Sequence, residues 1–382
     1  MKIHQEAYRD EVIRLRRAFH QIPEISQQET KTCQLILDTL KSYGITNATR
    51  LFHTGVTAVV GDPAKECVAL RMDIDGLPVS EKTELPYASC HPERMHACGH
   101  DAHIAILLVT AKILKEHEDQ LPCCVKLMFQ PAEEGDGGAL PMIKEGVLKN
   151  PEVSRVYGAH VWPEVPVGTL EWVEGASFAG CDRYEMKFRG TGGHGAMPQS
   201  VQSPLPALSE GIWKITSLGK KFPHAVVSVC ACQSDGFHNV FAEEAKLLGT
   251  IRTLNKGDRS AILEQLSRIA EEITHEMGIA TEFLPVQEYP PLTNHPDALD
   301  ELKQAAMFTV GEASVRQGTA TYAAEDFSFF CEEVPSAHIR IGCQREGEPF
   351  YPLHNPRFSP DEDCLMIGVQ LFCNLVFGKN MF

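Results

Sequence analysis

CVALRMD (residues 67–73), HIAILLVTAKILKEHE (103–118) and CCVKLMFQP (123–131) follow one another along the chain. The outer two are apolar runs of strand length, and the middle one is a longer apolar segment with helical periodicity. A further strand-length run, VTAVVG (56–61), precedes them. Two amphipathic helices are predicted earlier still. Tyr8 to His20 carries Val12, Leu15 and Phe19 at helical spacing, and Glu29 to Tyr43 carries Cys33, Ile36, Leu37 and Leu40 before the stop at Gly44. Strands alternating with helices predict an α/β fold whose mostly parallel sheet is covered on both faces. Chemistry in such sheets collects in loops at the carboxyl ends of strands. Three polar stretches take that position here: DID after VALRM, AEEG after VKLMF, and His160 after RVYGA.

Near residue 180 the rhythm changes. RYEMKFRG (183–190) alternates like a half-buried strand, AVVSVCACQ (225–233) and KLLGTIRT (246–253) read as further strands, and DRSAILEQLSRIAEEITHEMG (258–278) as a long helix. This pattern predicts a smaller α+β domain inserted at 182–294 and closed by the Pro-rich stretch Tyr289 to Pro296. Residues 1–181 and 295–382 are then the two parts of the main domain. The length of 382 residues agrees, since single cores stop growing near ~250–300 residues.

The formal net charge of −16 argues against a nucleic-acid partner, which needs clustered Lys and Arg. The first twenty residues are charged throughout and lack the apolar core of a signal peptide. No run approaches the ~18 apolar residues of a membrane span. Thirteen cysteines at irregular spacings read as reduced thiols of a cytoplasmic protein, not as a disulfide framework.

MHACGHDAH (95–103) gathers a thiol and several imidazoles. Cys98 and His100, two apart in a loop, can face one centre, and their donors suit zinc and other borderline divalent ions. As a lone pair they read better as a buried Cys and a helix-capping His. The company of His91, His96 and His103 favours a metal, and a structural zinc site is a further option. FQPAEEG (129–135) sets Glu133 beside Glu134. Metal hydrolases need one carboxylate to hold an ion and another to move a proton; the plain alternative is a solvated acidic loop. His160 in YGAHVWP and His354 in YPLHNPRF gain meaning only in company. Asp73 and Asp75 in RMDIDGLP can be ligands, orienters of a histidine, or turn caps. GTGGHGAMP (190–198) formally matches G-x-G-x-x-G, but no helix opens after it. Its glycines around His194 more simply let the backbone approach a ligand or another subunit.

Jointly these stretches do more. M-H-A-C-G-H-D-A-H, F-Q-P-A-E-E-G-x-G-G-A, G-x-H-x-x-P, G-x-G-G-H-x-A-x-P, G-T-I-R-T, E-D-F and L-H-N-P-x-F occur in this order over nearly the whole chain. The set resembles the two-metal aminoacylase and carboxypeptidase family. Its nearest likeness is to the branch of hippurate hydrolases, N-acetyldiaminopimelate deacetylases and auxin-conjugate (IAA-amino acid) hydrolases. The resemblance implies a zinc-exopeptidase-like catalytic domain with an inserted lid and dimerisation domain, and two divalent ions per subunit: manganese or zinc, with cobalt or nickel as options. It implies Cys98, His100, Glu134, His160 and His354 as ligands, with Cys98 bridging. Glu133 is then the general base, Asp75 an orienting residue, and His194, Asn239 and Arg252 substrate-binding residues of the lid. NVFAEEAKL departs from the branch at Phe241-Ala242, where Ile-Pro is usual, and YAAEDF has Ala324 where Ser is frequent. These departures touch substrate preference.

The activity implied is hydrolysis of N-acyl-L-amino acids in a homodimer or larger homo-oligomer, with no membrane partner. A dipeptidase or carboxypeptidase of the same family is the nearest rival. An inactive metal-binding homologue is the remote one, and the intact Glu133 weighs against it.

Overall fold

Cys67–Asp73 and Cys124–Gln130 are adjacent parallel strands, paired from Cys67 with Cys124 to Asp73 with Gln130. The segment between them forms the helix His100–Glu116. The computed structural model describes residues 3–382. It separates into two units, one made of the chain up to Gly175 with Thr293–Thr319 and Asp326–Phe382, the other of Ala176–Leu292 with Ala320–Glu325. Among the described residues no helix is long and apolar enough to cross a membrane.

The first unit is built on an eight-stranded sheet. Its order is Thr49–Leu51, Gly55–Val60, Cys124–Gln130, Cys67–Asp73, Val153–Pro166, Ser336–Gln344, Leu170–Trp172 and Val315–Gln317. The four strands from Cys124–Gln130 to Ser336–Gln344 run parallel. VTAVVG, as Gly55–Val60, joins them antiparallel. The short link 61–66 leaves no room for the crossover that a parallel neighbour needs. Every residue of Cys124–Gln130 is buried, so both faces of the sheet are covered. The helix His100–Glu116 is buried from His100 through Ala111 and again at Ile113 and Leu114. It lies against the strand Cys67–Asp73 and the helices Glu6–His20 and Asp363–Phe377.

The second unit has a four-stranded antiparallel sheet in the order Ala225–Ser234, Glu244–Thr253, Gly180–Arg189 and Ala280–Tyr289. Alternation in Glu244–Thr253 turns Ala245, Leu247, Gly249, Ile251 and Thr253 inward. Their apolar members share a core with Met186, Phe188, Ile215, Ile262 and Leu266, which joins the sheet to the helices Leu205–Gly219 and Lys256–Met277. Asn255 caps the second helix by accepting the Asp258 N–H at 2.7 Å.

Three expectations need correction. The second unit runs over Ala176–Leu292, not 182–294. Ala320–Glu325 goes with the second unit, not the main one, because the Ala179 N–H donates to both Thr321 O and Ala323 O, at 3.1 and 3.0 Å. Nor does His160 end its strand. Val153–Pro166 continues past it, since Ser336–Gln344 stays paired alongside as far as Pro166.

Candidate metal centre

The sequence reading puts His100 in a loop. It is instead the first residue of its helix, and the loop ends at Gly99 with a left-handed φ of 88°. Space is equally restrictive there: a β carbon on Gly99 would stand 2.5 Å from Val161 Cγ2. Asp101 clamps the same helical turn from behind. Its Oδ2 lies 2.8 Å from both Arg16 Nε and His20 Nδ1, and all three residues are buried. Burial alone would raise the Asp101 carboxyl, but Arg16 and His20 hold it well below the usual range.

Hydrogen bonds fix how the imidazoles point. A carbonyl only accepts, so His100 Nδ1–H donates to Asp75 O at 2.9 Å, and Nε2 is the nitrogen that remains to meet an ion. His160 Nδ1–H likewise donates to Val161 O at 2.6 Å, and its Nε2 stands 3.3 Å from Cys98 Sγ. His103 is the reverse case. Its Nε2 accepts the Val161 N–H at 2.9 Å, so Nδ1–H faces Asp73 Oδ1 at 2.5 Å. His103 thus ties the end of one strand to the residue after His160. Asp73 stays ionised despite burial because His100, His103 and Arg71 surround it.

The carboxylate pair sits on a turn after the strand Cys124–Gln130. Asp75 accepts the Glu133 and Glu134 N–H groups at 3.2 and 3.0 Å, and the Ser26 hydroxyl at 2.6 Å. One side chain therefore orients both the turn and, 3.3 Å away, His100. At the far end of the turn the Gly138 and Ala139 N–H groups donate to Asp326, at 2.8 and 2.9 Å. His354, in its loop with a φ of 67°, is anchored through its N–H to Ala97 O at 2.8 Å.

The donor atoms fall into groups. One atom each from Cys98, His100 and His160 lie within 4.8 Å of one another, and so do those of Cys98, Glu134 and His354. Cys98 belongs to both. Glu133 stands in a further group with His100 and Glu134. The surroundings fit cations. Among the described residues, His100 Nε2 and Glu134 Oε1 are buried without hydrogen-bond partners. Glu134 Oε1 is 2.9 Å from His354 Nε2, yet without hydrogen-bond geometry. Burial, reinforced by Glu134 and Glu133, pushes the Cys98 thiol well up, so a thiolate there needs a neighbouring positive charge. Burial and His103 push His160 well below its ordinary value, which keeps its lone pair available. Burial also works against a charged His100, but Asp73 and Asp75 overturn it and raise that group to about 10. Thiolate, imidazole and carboxylate together suit a borderline divalent ion.

The family model of peptidase family M20/M25/M40 matches residues 69–377. The chain belongs to that family. It is similar to an N-acetylcysteine deacetylase of Bacillus subtilis, 34% identical over 377 residues that cover 97% of each chain. A thermostable carboxypeptidase of Saccharolobus solfataricus is also 34% identical, over 94% of this chain and 93% of its own. Among solved structures, a dinuclear metal binding peptidase of the M20 family from Bacillus subtilis superposes with a TM-score of 0.84 at 32% identity, covering 97% of this chain and 98% of that one.

Cys98, His100, Glu133, Glu134, His160, His354 and Asp75 thus meet within the first unit of this M20 protein. His194, Asn239 and Arg252 belong to the second. Gly193–His194 pairs with Val240–Phe241, and the Gly195 N–H donates to Asn239 O at 2.8 Å, so His194 and Asn239 share one small exposed ribbon. Arg252 lies in the main sheet of that unit, opposite Val226 and Cys181. The supporting parts of Ser26, His103 and Asp326 are not evident from the sequence. His103 stands inside the Cys/His cluster and Asp326 inside the E-D-F motif, which were their only signals.

Proposed function

We propose that this M20 protein hydrolyses N-acyl-L-amino acids to a carboxylate and a free amino acid, with two divalent ions held by Cys98, His100, His160, Glu134 and His354. The observation behind this reading is the adjacent carboxylate pair on one oriented turn. Glu134 falls in a donor group with Cys98 and His354, while Glu133 lies in neither group that contains Cys98. Holding ions does not require that second carboxylate; moving a proton does. Divalent ions in such a site supply polarisation of the scissile carbonyl and bring the pKa of water toward ~7. Glu133 takes the proton of the attacking water. As the C–O bond forms and the C–N bond breaks, it delivers that proton to the departing nitrogen. His194 donates to the developing oxyanion, and Arg252 with Asn239 holds the free carboxylate of the amino acid, for which a guanidinium is the matching fork. His194 serves the site of the partner in a homodimer formed through the second unit. A reducing cytoplasm suits the thiol in the donor set.

The test is amine release from a panel of N-acyl amino acids, their amides and dipeptides. Metal-stripped protein is resupplied in turn with manganese, zinc, cobalt or nickel. Hydrolysis of acyl amino acids that depends on an ion is expected, and no release with any ion refutes the reading. The likeness to a carboxypeptidase supports a second reading, cleavage of peptides with a free carboxyl terminus; faster turnover of dipeptides than of acyl amino acids would favour it.

A further inference from the structure

Ala132 is the hub of the turn that carries Glu133. It has a left-handed φ of 59°, unfavourable for a residue with a β carbon. Its carbonyl accepts the N–H groups of Gly135 and Gly137, at 3.4 and 3.1 Å. Its own N–H donates to Glu29 Oε1 at 2.9 Å. Glu29 is fully buried, and its Oε2 accepts the Thr54 hydroxyl at 2.7 Å. It reaches the turn from the N-cap of the helix Thr30–Ser42. Three consecutive amides, those of residues 132, 133 and 134, therefore end on two carboxylates, Glu29 and Asp75. Burial pushes the Glu29 carboxyl up to about 7, although the Thr54 hydrogen bond pulls the other way. A buried carboxyl is an expensive acceptor for one backbone amide. Its use here needs a reason beyond satisfying that amide.

We infer that Glu29 is a positioning residue for Glu133: through Ala132 it sets the direction in which the Glu133 side chain leaves the turn. The inference rests on the reading of Glu133 as the group that moves the proton. Asp75 holds the amides of 133 and 134, and Asp326 those of 138 and 139; without Glu29 the left-handed residue that opens the turn loses its side-chain anchor, and the start of the turn relaxes. The geometry uses the length of Glu29, not its charge. A glutamine of the same length offers an oxygen to Ala132 and an N–H to the Thr54 hydroxyl. An aspartate keeps the charge and falls one methylene short.

The experiment measures kcat and KM for an N-acyl amino acid with Glu29→Gln, Glu29→Asp and Glu29→Ala. Each is made alone and in the Glu133→Gln background, with metal content and melting temperature recorded. Glu29→Asp and Glu29→Ala are expected to lose about 10²-fold in kcat, the scale of a misplacement of ~1 Å, with KM within about twofold and metal content unchanged. Glu29→Gln should stay within about threefold of the wild type. In the Glu133→Gln background the Glu29 substitutions should cost no further activity, since the group they position is already disabled. Equal fold losses in both backgrounds would make Glu29 a general structural residue and overturn the inference. So would a Glu29→Asp enzyme more active than Glu29→Gln. If Glu29→Ala fails to fold, the order of Gln and Asp still decides. A fully active Glu133→Gln sinks the base assignment and the inference with it; a fully active Glu29→Asp beside an inactive Glu133→Gln sinks the inference alone.

Discussion

Gly99→Ala puts one methyl group into the contact between the Cys98 loop and the strand of His160. Two costs follow. The left-handed φ of 88° is worth about 1–2 kcal/mol against any residue with a β carbon. The new carbon would also stand 2.5 Å from Val161 Cγ2 and 3.5 Å from Phe358 Cε1. Overpacking of this kind costs about 1–3 kcal/mol. The sum, ~2–5 kcal/mol, corresponds to a fall of about 4–15 °C in Tm for a domain of this size. Gly146→Ala separates the two terms, because Gly146 has a φ of 90° and, its chain neighbours aside, none of the described residues comes within 4 Å of the added carbon. It should lose only the backbone term, about 2–6 °C. Val161 follows His160 and donates its N–H to His103, so displacement of Val161 reaches the His160 ring. Metal affinity of Gly99→Ala should therefore fall about 10–100-fold, as when a ligand's supporting partner is removed. Calorimetry on metal-stripped protein and elemental analysis of the loaded form read the two effects. Equal melting of the two variants, with full metal in Gly99→Ala, would refute the close contact on which this rests.

Glu133→Gln should lose at least ~10²–10⁴-fold in turnover while keeping its metal, since it preserves shape but cannot accept a proton; elemental analysis and steady-state rates check both halves. Cys98→Ala should lose metal outright, because both donor groups that contain Cys98 are broken; full occupancy would show the thiol to be merely buried. Glu29 carries a pH signature. Its carboxyl is raised from 4.5 to about 7, so the folded state holds the proton more tightly than the unfolded chain. Its contribution to stability is complete below about pH 4.5 and is lost as the pH rises through 7. At ~1.4 kcal/mol per pH unit this amounts to ~3 kcal/mol, so metal-stripped Glu29→Gln should gain about that much on the wild type between pH 5 and 8. Subunit mixing tests the shared site: Glu133→Ala and His194→Ala, each nearly inactive, should give roughly a quarter of wild-type activity when co-refolded in equal amounts. Confirmed heterodimers without regained activity would place His194 within its own subunit.

The strand–helix–strand core was legible because burial on both faces leaves mostly apolar runs such as VKLMF, whose one charge, Lys126, is spent on the carbonyls of Val147, Lys149 and Pro151. The donor residues were legible because several motifs recur together in order. What stayed hidden depends on distant partners or on unusual local geometry. The helix start at His100 has no Ser, Thr, Asp or Asn cap; a left-handed Gly99 takes that place, and the apolar pattern begins only at His103. The extent of the His160 strand is set by Ser336–Gln344, far along the chain. Glu29 meets Ala132 across 103 positions, and nothing in QQET (27–30) announces that meeting.

The place of Ser336–Gln344 in the sheet governs how the chain is made. This strand lies between Val153–Pro166 and Leu170–Trp172, which are near neighbours in the chain. On a ribosome, Val153–Pro166 emerges early and finds Cys67–Asp73 on one edge, but its other edge waits for a strand that starts at residue 336. At ~5–20 residues per second the wait is roughly 10–30 s. Throughout it an apolar edge stands open, a template for neighbouring nascent chains. His354 comes later still, so the proposed donor set is completed only after that edge is covered. Slower translation without chaperones lengthens the exposed interval.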